Sequence, residues 1–328
     1  MDRNVVQFRL SPDDMSASRF GISPGHELCH AVRVLANPQL HPLQWGWVRS
    51  ARPGVPSAAF DLLRLVVGDD GYMPDFLTST PTWDLTPALE YERLLAADPG
   101  PMIVDLGKRA DRVTGSQRDA LLALRADPAR TRAIVAGAWQ ELWDAALGPH
   151  WRVIEQILHA DIGARTRRAG SHGLGAMVDS INRSVSWDTD AVHVQLAKHE
   201  EVLDCRGVGL VLVPSVMAQR CAALTEPPAQ PTLFYPSLGV TESWISSAAE
   251  VASSVTALLG DGRGRILLNL RQPLSTSETA AAAELAISTA SHHLSVLRDA
   301  RLISSRRVGP AVMHERTPLG EALVTGTA

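Results

Sequence analysis

The sequence predicts a mainly α fold with small antiparallel β elements (α+β), divided into two domains. Three observations carry that expectation. Through the first half, capping side chains stand directly before prolines, which is how helices begin. Near residue 185 the apolar period drops towards two, the signature of strands. All eight Trp lie before residue 245, so the remainder forms a separate unit built from smaller side chains.

With 328 residues, 45% of them apolar, the chain is long enough for two cores and too apolar for disorder. We divide it at residues 1–240, mostly helical with a small antiparallel sheet, and 241–328. Residues 261–328 hold eight Arg against six acids, while the whole chain carries a formal charge of −4, so the tail is its basic part. Cys29, Cys205 and Cys221 are widely spaced and odd in number, which argues against a disulfide framework or a structural zinc site and for a reducing compartment. Charges interrupt the first fifteen residues, and no run approaches the ~18 apolar residues of a membrane span. The expectation is a cytoplasmic protein with no membrane partner and no cofactor.

Five helix starts follow from one rule. Ser11-Pro12, Ser23-Pro24, Thr86-Pro87, Asp98-Pro99 and Asp127-Pro128 each pair a cap oxygen, which takes an orphan N–H, with a proline that has no N–H to leave unpaired. In "ARTRAIVAGAWQELWDAAL", Ile134, Val135, Trp139, Leu142 and Trp143 recur at helical spacing. "AVHVQLA", "EEVLDC", "VGLVLVPSV" and "PTLFYPS" read as strands of one small antiparallel sheet, with "TEPPAQP" (225–231) a loop between two of them. Residues 241–260 form an amphipathic helix with Trp244, Val251 and Leu258 on its apolar side, a candidate for pairing protomers.

The tail then reads as a helix over 264–270, a second from "SETAAAAEL" capped by Thr276 or Ser277, and a third over 287–300. On the third, Ala290, Leu294 and Leu297 share one face, while Ser288, Ser291, His292 and Ser295 share the other. A small, polar, nearly uncharged face suits entry into a major groove about 12 Å wide, where hydroxyl and imidazole groups can meet base edges. "LISSRRV" and "AVMHER" alternate around Gly309-Pro310 as a wing over 302–316, and Thr317-Pro318 starts a last helix. This order makes a winged helix-turn-helix. The candidate DNA-binding residues are Ser288, Thr289, Ser291, His292, Ser295, Arg298, Arg306 and Arg307, the last two facing phosphates or the minor groove. His293 leans towards the domain interior.

The run from Ser288 to Ile303 resembles the ArsR-type winged helix of bacterial transcriptional regulators, in its pattern S-T-x-S-x-H-L-x-x-L-R-x-A-x-L-[IV]. With "GYMPDFL", "LVLVPSVM" and "PTLFYP" ahead of it, the chain also resembles an actinobacterial group with a long N-terminal domain of unassigned role. The resemblance implies a double-stranded DNA operator, a homodimer and, by family analogy alone, repression. Three positions depart from it: Glu284 stands for the usual Gly of the turn, Ala286 for a capping Ser, and Arg301 for a common Gly after the third helix. Without that cap Ser288 is an alternative start for the third helix. The Cys pair of the metal-sensing members is absent, so no metal site is expected in the second helix.

A competing motif lies near the start. "PGHELCHAV" contains His26-Glu27-x-x-His30, the zincin pattern, and with the tail it offers an alternative function: a zinc-dependent metallopeptidase fused to a helix-turn-helix. A helical wheel buries Leu28, Ala31, Val32 and Leu35, and sets His26 and His30 opposite, beside Arg33 and open to water. That placement disfavours zinc, leaves Glu27 as a first-turn acid, and assigns no catalytic residue. "AGSHG" (169–173) lacks the strand before a nucleophile elbow and reads as a helix-breaking loop, while "GDGRGR" (260–265) lacks a phosphate loop's Lys and separates helices. A small-molecule effector is a further candidate partner, with Trp139, Trp143 and Trp151 as flat apolar walls or, more simply, as core filling.

Overall fold

In a computed structural model the chain forms two compact units, Met1–Trp244 and Ile245–Ala328. The structure describes residues 4–325 except 12–13, 15–16, 70–71, 79–80, 197–199, 226–229, 242–247 and 309–310, and only the backbone of 248–252 and 325.

The first unit combines helices with two four-stranded sheets, and neither sheet is the simple antiparallel one expected. The first has the order β3 (Val185–Asp188), β4 (Ala191–Gln195), β1 (Val5–Arg9), β5 (Glu201–Asp204). Strand β1 pairs antiparallel with β4 and parallel with β5, from Val6 opposite Glu201 to Arg9 opposite Asp204. The second has the order β2 (Arg19–Phe20), β6 (Val211–Ser215), β8 (Thr232–Pro236), β7 (Ala222–Leu224), with β2, β6 and β8 mutually parallel. Parallel strands are covered on both faces, which is why β6 reads as an unbroken apolar run and is buried at every residue.

Four of the five Ser/Thr/Asp-Pro starts are capped helices. In α1 (Pro24–Ala36) Ser23 Oγ accepts the His26 amide at 3.1 Å; after α2 (Trp45–Ala51) and α3 (Ser57–Val67), α4 (Pro87–Ala96) is capped by Thr86. Helix α5 (Pro99–Ala110) is capped by Asp98; after α6 (Gly115–Ala126), α7 (Pro128–Leu142) is capped by Asp127. The fifth start, at Ser11-Pro12, falls partly outside the described residues, though Ser11 donates its amide and hydroxyl to Asp14. Helix α8 (Trp151–His172) ends at Gly173, whose φ of 87° breaks the chain into α9 (Leu174–Asp179).

Trp47, Trp139 and Trp143 are buried in this helical body, whereas Trp45 and Trp83 are exposed. Trp139 and Trp143 stack with ring centroids 5.1 Å apart, Trp151 meets Trp143 edge-on at 4.9 Å, and Trp47 donates its indole N–H to the Ala146 carbonyl. Ile134, expected on the buried stripe, is exposed. Val6, Phe8, Val192, Val194, Leu212, Leu233 and Tyr235 join both sheets in one core. Phe234 points to the opposite face of its sheet, where α1 lies.

The second unit starts with α10 (Ala248–Leu259). Gly260, at φ 83°, breaks it from α11 (Asp261–Asn269), so only the first residue of "GDGRGR" separates helices and the rest open one. Its glycines serve close approach, since a Cβ on Gly264 would lie 2.8 Å from Thr256 Cα and one on Gly262 2.6 Å from His293 Nε2. Strand β9 (Leu274–Ser275) precedes α12 (Thr276–Ala282), and α13 (Ile287–Asp299) is followed by β10 (Ile303–Val308), β11 (Ala311–Arg316) and α14 (Pro318–Thr325). Val255, Ile266, Leu267, Ala280, Ala290, Leu294, Leu297 and Ile303 form the core. On α10, Val255 is buried but Leu258 is 70% exposed, so Leu258 does not share its inward side; Trp244 and the Val251 side chain lie outside the described residues.

Candidate nucleic-acid interface

Helix α12 is fixed first. Its cap is Ser275 rather than Thr276 or Ser277: Ser275 Oγ accepts the Glu278 amide at 3.3 Å while Glu278 returns its carboxylate to the Ser275 amide at 2.8 Å. This reciprocal capping box satisfies two orphan donors and holds the Glu278 carboxyl below the usual range, first through the backbone bond. The turn that follows puts Glu284 at φ 53°, and Arg301, after the next helix, sits at φ 58°. Both are left-handed positions that glycine occupies without strain.

Helix α13 begins at Ile287, the start read for it, and does so without the missing cap: Ala286 is in extended geometry as an N-cap that makes no side-chain bond. Ala290, Leu294 and Leu297 are buried, which turns Ser288, Thr289, Ser291, His292 and Arg298 outward to exposed positions. Ser295 is half-buried and accepts Arg298 Nη2 at 3.0 Å, so these two groups form a pair on the helix's second half. His293 packs inward against Gly262, and partial burial, with the neighbouring His292 and Arg263, lowers its pKa.

The wing is a regular ribbon running from Ile303 opposite Arg316 to Val308 opposite Ala311; its tip, Gly309-Pro310, lies outside the described residues. Arg306 and Arg307 are both exposed, but consecutive strand residues point to opposite faces. Arg307 therefore lies on the face of Ser305 and buried His314, and Arg306 on the other, so the two cannot both face one side as expected.

Sequence reasoning missed the group that holds the wing. His314 is 5% exposed; its Nδ1 meets Ser305 Oγ at 2.8 Å and its Nε2 meets Thr276 Oγ1 at 3.0 Å, tying the ribbon to the first residue of α12. Burial lowers its pKa, so it acts as a neutral imidazole with one donor and one acceptor, and either hydroxyl can complement it. A lone His at an inward strand position gave no other signal.

Residues 262–305 match the model of the bacterial regulatory protein, arsR family, which spans α11 to the first wing strand. The C-terminal unit is an ArsR-type winged helix-turn-helix. Residues 106–239 match a family of unknown function (DUF5937), so the ArsR-type unit follows a region whose role that match leaves open. Neither curated proteins nor solved structures gave a match. The ArsR-type domain makes the chain a DNA-binding transcription regulator, and among the described residues no helix is long and apolar enough to cross a membrane.

The His26-Glu27-x-x-His30 motif lies outside both matched stretches, and its geometry corrects the wheel. Helix α1 is buried nearly all round, with His26, Glu27 and His30 inside. His26 stacks on Phe234 with centroids 3.8 Å apart, and His30 lies 4.5 Å from His26. The first turn is clamped rather than frayed, because a Cβ on Gly25 would fall 2.0 Å from the Leu77 carbonyl oxygen. Glu27 is engaged with backbone: Oε1 accepts the Val216 amide at 2.8 Å and Oε2 the Met217 amide at 3.0 Å. Burial pushes its pKa up to about 7 against these bonds, and pushes that of His26 down to about 3. No group of three His, Cys, Asp or Glu side chains among the described residues is arranged to hold a metal ion.

Proposed function

We propose that the chain is a sequence-specific repressor that binds its operator as a homodimer in the cytoplasm, with α13 in the major groove and the 302–316 wing on phosphates or in the adjacent minor groove. The observation that carries this reading is the division of α13: Ala290, Leu294 and Leu297 hold it to the core while Ser288, Thr289, Ser291 and His292 are turned outward. A helix so anchored presents hydroxyl and imidazole groups with no charged side chain between them, as base-edge readout requires.

The dimer is supported by size and by surface. A single module of ~600–1,000 Å² seldom gives enough specificity, and paired readers one helical turn apart fit a two-fold operator. Helices α10 and α14 pack together and expose Leu258 and Leu319, apolar surface that a second copy would cover. Repression rests on family analogy alone. We favour a regulator over the peptidase alternative because Glu27 is buried and both its oxygens accept backbone amides.

The test is a mobility shift with genomic fragments. Because Arg306 and Arg307 lie on opposite faces of the ribbon, one of Arg306→Ala and Arg307→Ala is expected to weaken binding across sequences and to reduce the slope of log K against log salt by about 0.9, one phosphate contact. An unchanged slope in both variants would remove the wing from the interface.

A further inference from the structure

The first unit contains a cleft of about 530 Å³ where the C-terminal ends of α3 and α5 meet the start of α6. Its polar lining is Asp61, Arg64, Asp69, Arg109, Arg112 and Gln117. That volume is in the range of small-molecule sites, yet these walls are unlike the apolar lining such sites usually have. Among the described residues the lining sets three guanidiniums against two carboxylates. One of those carboxylates is already turned to a guanidinium in the wall, Asp69 to Arg64 at 4.0 Å between exposed groups.

The guanidiniums are placed by the fold. Arg109 is 7% exposed and donates Nε to the Leu65 carbonyl at 3.2 Å. Gly68, at φ 62°, lets the backbone come against it: a Cβ there would lie 2.3 Å from Arg109 Cζ, so any other residue would collide with the guanidinium. Arg112 lies 4.8 Å from the centre of the Tyr72 ring, and Tyr72 is held by a hydrogen bond from its hydroxyl to Asp105. Asp105 in turn accepts the Phe76 amide at 3.0 Å. A surface chosen only for solubility would not need a buried arginine fitted to a left-handed glycine and a second arginine seated on a braced aromatic ring. Helix α6 adds a further element. Thr114 makes no side-chain bond to its first turn, so the helix presents uncapped N–H dipoles at the residue that borders the cleft, Gln117.

We propose that this cleft binds a small anion carrying a carboxylate or phosphate group. Its planar, fixed guanidiniums match the two-oxygen geometry of either group, and fixed donors lose little entropy on binding. Binding is a property of the free chain, so it stands or fails independently of the DNA-binding reading.

The experiment is calorimetric titration of the full-length chain, without DNA, using citrate and inorganic phosphate as probes and glycerol as a neutral control. Citrate alone, phosphate alone, or both binding with Kd below about 1 mM supports the proposal and identifies the preferred group. Arg112→Gln and Arg64→Gln are expected to raise that Kd about tenfold, the loss of one charge-assisted hydrogen bond. Asp61→Asn, which removes an opposing charge, is expected to lower it. Arg64, Arg112 and Asp61 are exposed, so these variants retain the fold, as circular dichroism would confirm. Failure of both anions to bind, or binding indifferent to all three substitutions, overturns the proposal.

Discussion

Replacing Glu27 separates a structural carboxylate from a catalytic one. Glu27 is buried in α1 and its two oxygens accept the amides of Val216 and Met217, just beyond β6. Glu27→Ala leaves both amides unpaired in the interior at about 1–3 kcal/mol each, so a loss of about 2–6 kcal/mol is expected. Glu27→Gln keeps one acceptor and sets an amide N–H₂ against the other N–H, and should cost roughly half as much. Urea unfolding followed by Trp fluorescence reports on the first unit, because every Trp precedes residue 245. A zincin glutamate would behave differently: its replacement would abolish hydrolysis and leave the midpoint in place. A loss under about 0.5 kcal/mol for Glu27→Ala, together with stoichiometric bound zinc, would refute the structural assignment.

Further outcomes follow from the same contacts. His26 and His30 have pKa values depressed by burial, so their contribution is present above the free value of 6.5 and is lost as pH falls. Glu27, raised from 4.5 to about 7, contributes in the opposite sense, losing its share as pH rises through that value. Two imidazoles oppose one carboxyl, so a fall in stability is expected on acidification from 6.5 to 4.5, measurable by urea unfolding across that range. His26→Phe removes two ring nitrogens that have no hydrogen-bond partner among the described residues and keeps the stack on Phe234, so it should raise stability by about 1–3 kcal/mol. In the ArsR-type unit, Glu284→Gly and Arg301→Gly should each stabilise by about 1 kcal/mol, and Ala286→Ser, which supplies the missing cap of α13, by a similar amount; thermal unfolding would read all three.

The ArsR-type unit was largely legible because local chemistry and periodicity agree there. Ala290, Leu294 and Leu297 mark the buried stripe of α13, and the alternation in "LISSRRV" and "AVMHER" gives the ribbon its pairing. The capping box is also written in the sequence, as Ser275-x-x-Glu278 just ahead of the Ala run at 280–283, but Thr276 and Ser277 beside it offer the same cap chemistry. The left-handed positions fall at Glu284 and Arg301, two of the three departures from the family pattern.

The first unit hid what depends on distant pairing. Strand β1 is only "VVQFR" between Asn4 and Leu10, and whether it runs parallel to β5 is decided by connections that no local period encodes. The parallel sheet did leave a trace, since the unbroken apolar run of β6 belongs to a strand covered on both faces. The wheel failed at His26 and His30 because it assumes one wet face, whereas α1 is enclosed by other helices and by Phe234. Arg64 is tens of residues from Arg109 and Arg112, and only folding brings them to one cleft.

The central claim is that the outward face of α13 reads base sequence, and fluorescence anisotropy on a fragment selected from the genome tests it most directly. The wild-type chain should prefer that fragment to random duplex by about 10³ or more, and Ser291→Ala with His292→Ala should erase much of that preference while leaving random-duplex binding intact. Equal affinity for all duplexes, or a preference untouched by those two substitutions, would contradict it.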